Sequence, residues 1–243
     1  MNDEDNNSQH PQAENSEQQQ ESVAGKKIKK GKVKTKQKKK KGIHIGIGSL
    51  VLTVFCAFLL ITATFLQLDV THFIIPAKIF TGQPCSIDDY LFTIKYIPQI
   101  PVVVFIAALL GRKFGLASIV LYIITGLFIL PVFALGGGWK YIFEYGFGYI
   151  FAYIPAAFIL TTMLKKGYTF KNILKAVILS VLTIHIFGII YMMCLAGFKH
   201  AGWEFIGAWI AAQSGIKILY DITFSYLMVL IAKYARIILW FYL

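Results

Sequence analysis

An aspartate and a lysine four residues apart are the first candidates for chemistry. In "SGIKILYDITFSYL", Asp221 follows Lys217 by about one helical turn inside an otherwise apolar run. Residues at this spacing share a helix face, so an ammonium and a carboxylate there can pair. An ionisable group within a membrane helix costs at least about 2.5 kcal/mol, and such groups face the bundle interior or a cavity. The two residues read either as a structural ion pair at a helix mouth or as a polar anchor for a partly polar ligand. The second candidate is "GGGWKYIFEYGFG", residues 136–148. Gly136, Gly137 and Gly138 let the backbone take positive φ and let another group come close. Tyr141, Phe143, Tyr145, Phe147 and Tyr149 alternate around this turn. They either wall a ligand pocket or form an aromatic belt around an ordinary outer turn. His185, in "LTIHIFGII", is a lone histidine amid apolar residues. It reads as hydrogen-bonded to a neighbouring helix, with a proton relay as the alternative.

The other signatures of chemistry are missing. Cys56, Cys85 and Cys194 lie far apart, with no CxxC and no Cys/His cluster, so neither a zinc site nor a disulfide framework is indicated. The chain carries no Walker motif, no GxSxG and no HExxH. It has no visible nucleophile–base set, so binding is expected, not catalysis, with no cofactor and no metal.

Long apolar elements must position these residues. Charged residues make up 15% of the chain and hydrophobic ones 57%, against roughly 25% charged in an ordinary globular protein. The apolar character is blocked: nearly everything after Gly42 is apolar and nearly everything before it polar. A bilayer core takes roughly 20 apolar residues per helix. On that length the sequence predicts six spans, at 43–66, 94–111, 115–135, 147–164, 173–197 and 216–239. The first is longer than the apolar core of a signal peptide and reads as a retained span. Its Ser49, Thr53 and Ala57 form a smooth stripe for close packing, inside the bundle or against a partner. Between the last two spans, "FKHAGWEFIGAWIAAQSG" predicts a short interfacial or re-entrant helix.

The formal charge of +12 could suggest a nucleic-acid partner, but its placement points to the membrane. Residues 1–42 hold eleven lysines between Lys26 and Lys41, after an acidic, Asn/Gln-rich stretch. Such a segment cannot bury a core and is expected to be disordered. A lysine run beside a span binds anionic headgroups or fixes orientation, so membrane lipids are expected as partners and nucleic acid is not. With six spans, this run falls on one side together with Arg112, Lys113, Lys165, Lys166, Lys171, Lys175, Lys233 and Arg236. That side is then cytoplasmic, as are both termini.

One longer stretch carries a resemblance. "YIPQIPVVVFIAALLGRKFGLASIVLYIITGLFILPVFALGGGWKYI…GFGYIFAYIPAAFI", residues 96–159, resembles the BioY biotin-transporter family. The marks are a proline-led span ending in LLG, a G-L-x-x-L-P-V-F exit, the glycine-rich turn and a glycine–tyrosine start to the next span. The likeness extends over about residues 92–235. The resemblance implies a six-helix substrate-binding (S) component of an energy-coupling-factor transporter in the cell membrane. It further implies biotin bound near the outer face, and a complex with one transmembrane coupling subunit and two ATPase subunits. Asp221 matches the acid of the family's G-D-x-x-K pattern, with Tyr220 in place of the glycine and Phe224 in place of the lysine. Lys217 is the candidate for the missing cation. By the same resemblance, Asp221 would bond the polar end of biotin, the Gly136–Gly138 turn would close over it, and aromatics near Tyr149 would pack its ring.

The expected fold is thus an all-α membrane protein of six transmembrane helices. A disordered polybasic tail (1–42) precedes a substrate-binding domain (43–243). The rival expectations are an S component for another vitamin or cofactor precursor, and a membrane scaffold whose basic tail recruits a partner.

Overall fold

In the structure, a computed structural model, residues 46–134 and 136–242 are described. The expected tail at 1–42 lies outside the described residues.

Five helices among the described residues are long and apolar enough to cross a membrane: Ile47–Phe65, Gln99–Ile129, Phe147–Leu164, Phe170–Phe198 and Trp203–Leu239. The second is two elements in one. It runs as α2 (Gln99–Ile124), after α1 (Ile47–Phe65), and at Gly111 the backbone turns to φ 71°, ψ −171°. Beyond the turn the chain folds back. A Cβ on Gly115 would lie 3.0 Å from the Cα of Ala107, and Gln99 Nε2 donates to the hydroxyl of Tyr122 at 3.2 Å. Residues 12 and 11 positions from Gly111 therefore meet side by side at the open end of a helical hairpin. Only glycine takes that positive φ without strain. Pro98 and Pro101 sit at the helix start, where a missing N–H costs nothing.

The far arm ends in a π-turn over Thr125–Ile129, and Leu130 is extended (φ −138°, ψ 144°) because Pro131 follows it. The predicted span at 115–135 thus stops being helical before Leu130. The predicted start at 94 is also corrected. Residues 91–96 form strand β2 (Leu91–Tyr96), paired antiparallel with β1 (Leu68–Phe73), with Val70 opposite Ile94 and Thr71 opposite Thr93. The fold is mostly helical but not all-α. Alternating, β-branched residues beside Pro98 favour an extended chain over helix here.

The remaining elements are α3 (Phe147–Phe151), α4 (Tyr153–Leu164), α5 (Phe170–Phe198), α6 (Trp203–Ser214) and α7 (Lys217–Tyr242). The break between α3 and α4 has a cause in Pro155, which has no N–H for the carbonyl of Phe151. Helix α6 is the short helix expected between the last two spans. Gly215 (ψ −120°) separates it from α7.

The smooth stripe of α1 faces inwards. Thr53 and Ala57 are buried, and Ser118 on the far hairpin arm donates to the Thr53 carbonyl at 2.9 Å. Ser180 on α5 does the same to Ala156 on α4 at 3.0 Å. Small residues let these backbones approach. Large apolar side chains such as Phe55, Phe58, Phe187 and Ile231 point outwards, as a bilayer-facing surface requires.

Candidate functional site

The site lies at the open end of the hairpin, where the β1–β2 ribbon enters and α6 crosses. A cavity of about 190 Å³ is lined by Gln99, Tyr141, Tyr149, Tyr153, Trp209 and Lys217, with Gln213 and several aliphatic residues. Each comes from a different turn of the fold. Gln99 is the first residue of α2, Tyr149 and Tyr153 belong to α3 and α4, Trp209 and Gln213 to α6, and Lys217 opens α7.

Gln99 is held by a full set of neighbours. Its Nε2 donates to Thr64 at 2.7 Å and to Tyr122 at 3.2 Å, and its Oε1 accepts from Tyr153 at 3.0 Å. A half-buried amide fixed in this way presents a fixed dipole to the cavity. Tyr149 is fixed from two sides. Its ring lies on Gly188, where a Cβ would come within 2.5 Å of it, and its centroid is 5.7 Å from Trp209.

A second set of polar groups runs behind this wall. Tyr96 donates to Asp221 Oδ1 at 2.7 Å, and His185 Nε2 meets Asp221 Oδ2 at 3.1 Å. His185 Nδ1 meets Ser214 Oγ at 2.9 Å, and Ser214 Oγ meets the Tyr149 hydroxyl at 2.7 Å. A neutral imidazole with its proton on Nε2 closes this chain. Tyr149 then donates to Ser214, Ser214 to His185, and His185 and Tyr96 both donate to the carboxylate. Asp221 is 0% exposed, and a buried carboxylate requires such donors.

The expected Lys217–Asp221 pair is therefore corrected. Among the described residues the basic side chain bonded to the carboxylate is the His185 imidazole, and Lys217 has no ion-pair partner. Lys217 instead faces the cavity as its one cationic wall residue. Asp221 is absent from the wall, since both its oxygens are engaged behind it. Tyr149 is on the wall. The expected hydrogen bond from His185 to another helix is present twice, to α6 and α7.

The glycine turn serves the wall from a distance. Gly136 and Gly138 take φ of 115° and 87°, and the Gly138 N–H donates to the Gly126 carbonyl at 2.8 Å. A Cβ on Gly137 would lie 2.5 Å from the Cα of Pro131. The turn is stitched back onto the π-turn, and none of the three glycines lines the cavity; their neighbour Ala134 does.

Gln99, Tyr153 and Gln213 are wall residues that the sequence does not single out, and Trp209, which the sequence suits to the headgroup region, is a wall residue too. Gln99 had a visible signal: a lone amide between two prolines at the head of an apolar run is costly unless it is used. Chemically, the cavity offers aromatic and aliphatic faces, oriented amides, hydroxyls and one ammonium. Such a wall has the chemistry to suit a compact, half-polar, anionic molecule. Among the described residues no cluster of metal-ligating side chains occurs.

Comparison with known proteins gives three matches. The model of the BioY family matches residues 35–239. A probable biotin transporter BioY of Lysinibacillus sphaericus is 35% identical over 88 residues, which cover 33% of this chain and 45% of that protein. The chain thus aligns with less than half the length of this curated relative. The crystal structure of the S-component for biotin from an ECF-type ABC transporter shares the fold, with a TM-score of 0.57 at 20% identity. That match covers 78% of this chain and 91% of the other.

Proposed function

Because the chain belongs to the BioY family, we propose that it is the biotin-binding membrane component of a vitamin uptake transporter. It is a multi-pass membrane protein, and its family is one of transporter components, not enzymes. The observation that carries the ligand assignment is the wall of the cavity. Biotin has a polar ureido ring, an apolar thioether ring and a carboxylate tail. The fixed amide of Gln99 and the hydroxyl of Tyr153 suit the ureido group. The rings of Tyr149 and Trp209 suit the bicyclic body, and the ammonium of Lys217 suits the carboxylate. Asp221 acts from behind the wall as a positioning residue. It holds Tyr96 and, through His185 and Ser214, the hydroxyl of Tyr149.

The two arms of the Gly111 hairpin count as two crossings, giving six in all. The basic residues at 112–113, 165–175 and 233–236 then lie in the cytoplasm and the cavity opens outwards. Binding would be followed by uptake driven by two ATPase subunits through a transmembrane coupling subunit, since the chain itself carries no nucleotide-binding motif.

The test is equilibrium binding of radiolabelled biotin to the purified chain, with a panel of other vitamins as competitors and Lys217→Gln as the variant. Loss of one charge-assisted contact, about 1.5–3 kcal/mol, weakens binding roughly tenfold to a hundredfold. Micromolar or weaker binding that the substitution leaves unchanged overturns the reading. A second reading, another vitamin in the same cavity, is favoured by one observation. Tyr220 and Phe224 stand where the family pattern has glycine and lysine. In that case a different vitamin displaces the label at lower concentration than biotin does.

A further inference from the structure

The end of the bundle remote from the cavity carries a second pocket. About 220 Å³ is enclosed by Gly111, Arg112, Thr161, Lys165, Tyr168 and Arg236, with two aliphatic neighbours. Three cations from three separate elements converge there, and no acid lines it.

The two arginines are held in place by neutral partners. Arg112 Nη2 donates to Thr162 at 2.6 Å, and its guanidinium lies 3.9 Å over the ring of Phe158. Its Nε is buried and has no hydrogen-bond partner. Arg236 Nη1 donates to the Ala108 carbonyl at 3.0 Å and to the Tyr168 hydroxyl at 2.8 Å. That leaves its other N–H groups for something else.

Counter-charge is lacking. The acids among the described residues are Asp69, Asp88, Asp89, Glu144, Glu204 and Asp221. Asp221 is bonded to Tyr96, next to the open end of the hairpin; Asp69 belongs to the ribbon that enters there, Asp88 and Asp89 to the loop joining its strands, Glu144 follows the glycine turn and Glu204 opens α6. Arg112 is at the tip, about 17 Å away along arms that rise about 1.5 Å per residue. Converging cations without a carboxylate, one of them (Arg112) half-buried with an unsatisfied buried donor, favour an anion from outside.

We propose that this pocket binds a phosphate group, supplied by the headgroup of an anionic phospholipid. The depth suits a lipid, because the pocket sits where apolar helices give way to basic loops, at headgroup level. The geometry suits one too. Arg236 also borders a neighbouring groove lined by Leu52, Leu109, Leu110 and Phe114, where an acyl chain can follow its headgroup. Arginine forks match phosphate oxygens, and Lys165 adds a mobile point charge at the rim.

The experiment titrates the purified full chain, in neutral detergent, with phosphatidylglycerol, phosphatidylcholine or inorganic phosphate, read by native mass spectrometry and thermal unfolding. The expected result is one tight phosphatidylglycerol site, at least tenfold stronger than phosphatidylcholine, with a raised unfolding temperature. Lys165→Gln, an exposed change that leaves the fold intact, weakens that preference severalfold, and Arg112→Gln with Lys165→Gln abolishes it. Biotin binding stays unchanged in these variants, which separates this site from the cavity. Stabilisation by millimolar inorganic phosphate alone supports the same pocket with free phosphate as its source. Equal binding of both lipids, untouched by the substitutions and with no effect of phosphate, overturns the proposal.

Discussion

Asp221 illustrates how one residue can matter without touching a ligand. A carboxylate with no exposure is tolerable only while its donors remain. His185→Ala removes one of the carboxylate's two donors, at about 1.5–3 kcal/mol for a hydrogen bond to a charged group, and the gap left by the lost ring adds to that cost. Tyr96→Phe deletes one donor and keeps the ring packing against Phe224, so it costs less, about 1.5–3 kcal/mol. Thermal unfolding in detergent should rank His185→Ala below Tyr96→Phe, and both below the parent. If the two variants unfold with the parent, the buried chain of donors is not what stabilises this end of the bundle.

At the scale of elements, two glycines separate packing from binding. Gly137→Ala drives a Cβ into the backbone of Pro131 and Gly126, at 2.5 and 2.7 Å. Backbone cannot step aside, so the turn loosens and stability falls by about 1–3 kcal/mol. Gly188→Ala meets the ring of Tyr149 instead, at 2.5 Å. A side chain can move, and here it moves off Ser214 and into the cavity. Ligand affinity should fall about tenfold or more while the unfolding temperature changes little, as binding and melting curves on the same sample will show. The ribbon and its loop carry a pH dependence of their own. Asp89 accepts from Lys78 at 2.6 Å and from the backbone of Ser86 at 2.9 Å, and the lysine's hydrogen bond foremost holds its carboxyl below the usual range. A lowered carboxylate value stabilises the folded loop above the unfolded value of about 3.9, and that contribution is lost as pH falls through the folded value. Hydrogen exchange across residues 74–90 should therefore speed up below about pH 4, beyond the intrinsic trend. Asp89→Asn should make the loop equally loose at neutral pH.

For the whole molecule, the proposed six crossings make a claim that cysteine chemistry can check. Cys85 sits half-buried in the loop between β1 and β2, Cys194 is exposed near the end of α5, and Cys56 is buried in α1. With the cavity outward, a membrane-impermeant maleimide labels Cys85 on intact cells of a Cys194→Ser variant. A Lys165→Cys variant in a Cys85→Ser, Cys194→Ser background labels only after permeabilisation. The reverse pattern, or labelling of both from one side, defeats the assigned orientation.

The apolar spans were legible because desolvation acts on composition alone: 147–164 reappears as Phe147–Leu164, and 173–197 lies within Phe170–Phe198. The family was legible for a related reason, since its glycine and proline marks record local backbone needs. The partners of Asp221 were not. Tyr96 is 125 positions away and His185 is 36, and nothing along the chain says that these helices meet. Helical spacing pointed to Lys217, which shares a turn with Asp221, yet three-dimensional packing sent one side chain inwards and the other to the cavity. The strand at Leu91–Tyr96 was decided likewise, by pairing with a distant segment, whereas the break at Gly111 falls where one predicted span ends, just before the next begins at 115. Sequence alone determined which stretches leave water; the tertiary structure decided which polar groups they bury together, because a buried charge is satisfied by whatever neighbour folding brings within about 3 Å.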